Sequence, residues 1–157
     1  MLDGKIYFAM ANFENQDVQP VIDETRSTLG VVDLTSNTVS EIPLEKDMPY
    51  EVEQHNGQLY VAHTVLNPGP RDFSEHRYIS HITPETGKVE TFDVGPYLLH
   101  ITFSDGLLYV LHYDREAPTL DAYQPETMYK LTTHTLEKPT GGHYYVGAIG
   151  LGTPTGQ

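Results

Sequence analysis

Asn56-Gly57-Gln58-Leu59-Tyr60-Val61 is one of three versions of a single phrase in this chain. The others are Asp3-Gly4-Lys5-Ile6-Tyr7-Phe8 and Asp105-Gly106-Leu107-Leu108-Tyr109-Val110. Each is an Asp-Gly or Asn-Gly pair feeding a short run that ends in an aromatic residue and a β-former. Such pairs favour tight hairpin turns because both residues tolerate positive φ. The phrase therefore predicts a turn followed by a strand, three times over.

A second landmark reads as repeating with it. Gly30 to Val39, Tyr78 to Val89 and Met128 to Leu136 are each read as a strand, a Thr-rich polar turn and a departing strand. Gly4, Gly57 and Gly106 are 53 and 49 residues apart, and Asp33, His81 and Lys130 are 48 and 49 apart. A shared period near 50 points to repeated supersecondary units. In the middle copy, strands are expected at 50–55, 59–65, 77–83 and 88–94. Four short antiparallel strands per unit describe the blade of a β-propeller.

The expected fold is one all-β domain over 1–157, with units at about 3–47, 48–94 and 95–140 and a closing strand at 143–151. The chain then starts one strand late and stops one strand into a further unit. The units are cyclically offset, so that the C-terminal strand completes a blade. Three blades cannot close a ring. Either the chain belongs to a longer propeller, or its last strand completes the first blade of another copy in a six-bladed dimer, which would leave no unpaired sheet edge.

Composition agrees with an all-β chain. Thirteen Gly and 11 Pro punctuate the apolar runs, and 11 Tyr with 5 Phe supply β-forming aromatics. With no cysteine, disulfides, thiolate metal sites and thiol nucleophiles are excluded. The net charge of −13 opposes a phosphate backbone, so no nucleic-acid partner is expected. No apolar run reaches 18 residues and no basic segment leads into an apolar one, so neither membrane insertion nor a signal peptide is expected within these residues. No phosphate-binding glycine loop precedes a helix, and no Gly-x-Ser-x-Gly elbow is present.

Tyr60-Val61, Tyr109-Val110 and Ile82-Thr83-Pro84-Glu85-Thr86-Gly87-Lys88-Val89 resemble the repeats of YVTN-type β-propellers. The resemblance spans nearly the whole chain, departing at Tyr7-Phe8 and at Thr133-His134-Thr135. It implies a ligand-binding face formed by the second-to-third and fourth-to-first connections, and it favours an extracytoplasmic or secreted setting. Carried onto this chain, that face gathers loops 12–27, 66–76 and 113–126 with the connections 44–50, 93–98 and 139–144. Arg71, Asp72, His76, Asp114, Arg115 and Tyr123 are its candidate ligand-binding residues.

Glu51 and His100 fall at one blade position near the channel mouth that the resemblance implies. A Glu–His pair there suits a divalent metal or general acid–base work, as in propeller lactonases and lyases. His63 and His112 share another position and are read as packing between blades. The leading expectation is a recognition or scaffold module for a small molecule or a protein, with no cofactor required. The alternatives are a metal-assisted lyase or lactone hydrolase using Glu51 and His100, and a structural cell-surface repeat.

Overall fold

The computed structural model describes residues 2–10, 13–16, 19–22, 27–64, 76–113 and 117–137. They form thirteen strands and no helix. The strands are β1 (Lys5–Met10), β2 (Phe13–Gln16), β3 (Gln19–Ile22), β4 (Thr28–Asp33), β5 (Thr38–Pro43), β6 (Pro49–His55) and β7 (Gln58–His63). They continue with β8 (Tyr78–Thr83), β9 (Lys88–Asp93), β10 (Leu98–Ser104), β11 (Leu107–His112), β12 (Thr119–Gln124) and β13 (Tyr129–Thr135). Three blade-like sheets result, ordered β1-β4-β5, β6-β7-β8-β9 and β10-β11-β12-β13, with β2-β3 as a separate hairpin. Every pairing whose register is defined is antiparallel.

The repeated phrase behaves as its chemistry dictates. Asp3 and Gly4, Asn56 and Gly57, and Asp105 and Gly106 all lie at positive φ, and a strand leaves each turn. The second landmark is displaced. The turns joining the last two strands of each sheet run from Asp33 to Thr38, Thr83 to Lys88 and Gln124 to Tyr129. Their left-handed positions are Asn37, Gly87 and Met128. Asp33, His81 and Lys130 are therefore not equivalent, and 128–136 is the end of a turn followed by β13. The third sheet is built with a shorter connection between β11 and β12, which moves everything after it forward. Pro125-Glu126-Thr127, repeating Pro84-Glu85-Thr86, is the signal in the sequence that marks the true turn.

Two of the expected loops are corrected as well. Residues 12–27 carry the β2–β3 hairpin, and 113–126 include the whole of β12. Loop 66–76 lies outside the described residues except for His76, and so does the closing strand 143–151. The chain divides into two units, residues 1–98 and 99–157.

Within the first unit, strand alternation builds the core. One side of the first sheet supplies Tyr7, Leu29 and Ile42, joined by Leu44. They pack against Val52, Leu59, Val61, Ile82 and Val89 from one side of the second sheet. Antiparallel register places Leu59 opposite Ile82, and Ile82 opposite Val89, so these apolar rows run straight across the strands. β7 is buried on both sides, and on its other side the ring of Tyr60 stacks on His81 with centroids 4.7 Å apart. In the second unit, Leu108, Val110, Leu111 and Ala122 form the buried middle of the third sheet.

Candidate functional site

The two ends of the first unit differ in kind. One end holds the tight turns, while the other holds the connections 44–48 and 94–97 together with Thr64, His76 and Arg77. Backbone bonds stitch the connection end together: Leu44 N–H to Ser27 C=O, Thr64 N–H to Met48 C=O, Val94 N–H to Arg77 C=O and Leu98 N–H to His76 C=O. The Thr64 hydroxyl adds a 2.6 Å bond to the Leu98 carbonyl. Met48 and Tyr97, the residues immediately before β6 and β10, both sit at positive φ, so the chain swings into each first strand in the same way.

Charged groups collect at this end. Arg77 grips Asp93 through two contacts, Nε to Oδ1 at 2.9 Å and a terminal guanidinium nitrogen to Oδ2 at 2.8 Å. That hydrogen bonding, with help from the Gly95 amide, holds the Asp93 carboxyl below the usual carboxylate range against the opposing effect of burial. Lys46 Nζ lies 4.4 Å from the centroid of the Tyr78 ring.

Beneath them runs a buried polar chain. His63 Nδ1 donates to the Asp47 carbonyl at 2.7 Å, which leaves Nε2 to accept from the Ser80 hydroxyl at 2.8 Å. Ser80 in turn contacts Thr91 at 3.3 Å. Burial keeps the His63 imidazole neutral by lowering its pKa, with its bond to Asp47 opposing. The histidine and serine have the contacts of a base and its hydroxyl, but they are 2% and 0% exposed. A hydroxyl enclosed in this way does not meet a substrate, and the pair serves the sheet.

The third sheet repeats the arrangement with a charge in it. Asp121 stands where Ser80 stands: Val110 faces it as Val61 faces Ser80, and Thr133 lies across from it as Thr91 does from Ser80. It accepts from the Thr133 hydroxyl at 2.6 Å and from Lys130 Nζ at 2.9 Å, and His112 Nε2 lies 3.4 Å away. Burial raises the Asp121 pKa, but the Thr133 and Lys130 bonds outweigh it and keep the carboxyl below its ordinary value.

The candidate residues from the sequence separate as follows. Glu51 and His100 are half-buried and sit five residues before Asn56 and Asp105 respectively, so they are equivalent positions, one in each unit. His76 is half-buried at the connection end of the first unit. Tyr123 is buried in β12, its hydroxyl 3.4 Å from Asp121 Oδ2. Arg71, Asp72, Asp114 and Arg115 lie outside the described residues. Among the described residues, no three His, Asp or Glu side chains converge on a point where they could hold a metal ion. Sequence reading passed over Lys46 and Ser80, and it counted Asp121 among the charges of the expected loop 113–126, whereas Asp121 lies in β12. Ser80 and Asp121 would have been found by aligning the two Pro-Glu-Thr turns.

The fold defines an all-β protein of blade-like antiparallel sheets. No model of a known protein family matches the chain, and no curated protein matches it either.

Proposed function

We propose that this chain is a β-propeller-type recognition or scaffold module of YVTN-like repeats, binding a small molecule or partner protein on its connection end. It works within a ring completed by another copy or by the rest of a longer propeller. The contrast between the ends of the first unit carries this reading. One end is closed by tight turns, while the other presents Lys46, His76, Arg77 and Asp93 on a hydrogen-bonded base. Fixed charges of both signs on a rigid support are what selective polar recognition requires.

The test is amide chemical-shift mapping of the whole chain with trilysine and triglutamate peptides and a panel of small carboxylates. Shifts concentrated at 44–48, 76–78 and 93–97 and lost in Arg77→Ala support the reading. Shifts at the tight-turn end, or none with any probe, count against it.

A further inference from the structure

We infer that His63 is a pH-sensitive latch that holds the connection 44–48, and with it Lys46, in place at the connection end. The inference rests on the binding role proposed for that end and adds its regulation. Geometry defines the latch. His63 Nδ1 donates to the Asp47 carbonyl at 2.7 Å, while Nε2 accepts from Ser80 at 2.8 Å. One ring, 2% exposed, thus joins a connection outside the strands to an enclosed hydroxyl within the sheet.

This joint suits the neutral ring. A proton at Nε2 turns an acceptor into a donor, so the Ser80 hydroxyl must swing toward Thr91, 3.3 Å away. The new cation is then enclosed without water. Burial, the largest influence on the ring, disfavours that charge. On the connection, Asp47 favours the cation and Lys46 opposes it. Across the ladder stands Tyr78, and beyond it Asp93, which Arg77 already engages. On β6 the paired residue is Pro49, with Tyr50 and Glu51 next along the strand. The first sheet sends Tyr7 into the same core, but the charges acting on it, Asp3, Glu85 and Asp33, belong to the tight-turn end. His112, at the matching place in the third sheet, meets the Asp121 carboxylate at 3.4 Å, a group that accepts from a charged ring.

The connection is where the charged ring can reach water at least cost. β7 is bonded along both edges, to β6 and to β8, so parting the sheet there breaks whole ladders. The connection is tied by two backbone bonds, Leu44 N–H to Ser27 C=O and Thr64 N–H to Met48 C=O. Met48 also sits at φ +54°, a left-handed conformation that a bulky residue keeps when its surroundings impose it. Its buried side chain and its bond from Thr64 are those constraints. Hydration of His63 and relaxation of Met48 favour one movement, so protonation shifts 44–48 from closed toward open.

The experiment is native-state hydrogen exchange and histidine NMR on the full chain between about pH 7.5 and 5, in wild type and in His63→Gln. Glutamine can keep both bonds without titrating. The Thr64 amide reports the latch, because its bond to Met48 breaks when the connection opens. Corrected for intrinsic exchange, its opening should grow about tenfold per pH unit below 6.5, the slope of one proton. Urea below the unfolding transition should leave that opening unchanged while it speeds exchange in β8. In wild type the His63 ring and the Leu44 and Thr64 amide shifts should titrate together, and in His63→Gln the slope should vanish. A Thr64 amide that opens only with the urea dependence of β8 overturns the inference, as does a slope that survives in His63→Gln or a His63 ring that titrates with no change at 44–48. The peptide and carboxylate probes are read on the same samples. Latch opening with no probe-induced shifts at any pH would remove the proposed function and leave the latch standing. Equal shifts across the pH range with a pH-independent Thr64 amide would do the reverse.

Discussion

His63 Nε2 and the Ser80 hydroxyl meet at 2.8 Å between two strands of the second sheet, and His112 and Asp121 occupy the same two places in the third. One repeat position thus hosts a neutral pair and a charged one. The difference follows from what surrounds each. Beyond its histidine Ser80 contacts Thr91, whereas Asp121 has both Thr133 and Lys130 to satisfy a carboxylate.

Stability should fall as the pH drops through the histidine range, and His63 should be a source of that slope. Its folded pKa is lowered from 6.5, so the unfolded chain binds the extra proton first. The stabilisation is complete above the unfolded value and is lost as pH falls from there toward the folded one. Urea melts between about pH 7.5 and 5 should show the loss, and His63→Gln should flatten it relative to wild type. An equal slope in the variant would place the effect elsewhere.

Asp121→Ala should cost about 1–3 kcal/mol in urea unfolding, because the charge-assisted bonds from Lys130 and Thr133 are lost while those exposed donors return to water. Asp121→Ser copies the second sheet and can still accept from Thr133, so it should cost less than the alanine. Equal losses would show that the carboxylate acts by filling space.

Gly30→Ala drives a methyl into the tip of the Phe8 ring, which is 37% exposed and can turn aside, and should destabilise by up to about 1 kcal/mol. In a Phe8→Ala background the same change should cost far less. A double-mutant cycle measures this coupling, and additive costs would exclude the contact.

Gly87→Ala isolates the backbone. Gly87 has φ +69° and open space around a would-be Cβ, so only left-handed strain opposes the substitution. A loss of about 1 kcal/mol is expected in thermal or urea unfolding. A neutral result would mean that the turn changes type.

Much of the fold was legible because its signals are local. Asp3-Gly4, Asn56-Gly57 and Asp105-Gly106 tolerate positive φ whatever surrounds them, and Leu59-Tyr60-Val61 favours extended backbone by its own sterics. These preferences placed all four strands of the second sheet and the turns between its neighbours. The candidate site was less legible. Tyr123 reads as a loop residue beside Gln124-Pro125, yet β12 reaches to Gln124 because β11 offers it a ladder.

From its sequence alone, the chain was committed to short antiparallel strands in repeated units and to the turns that separate them. Tertiary structure decided the rest: the shorter crossing into β12, the enclosure of Ser80 and Asp121, and the exposure of Ile6 where Leu59 is buried. Backbone preference is a property of a few adjacent residues. Whether a side chain is covered depends on a sheet that may lie fifty residues away, and identical patterns of alternation do not say which sides will meet.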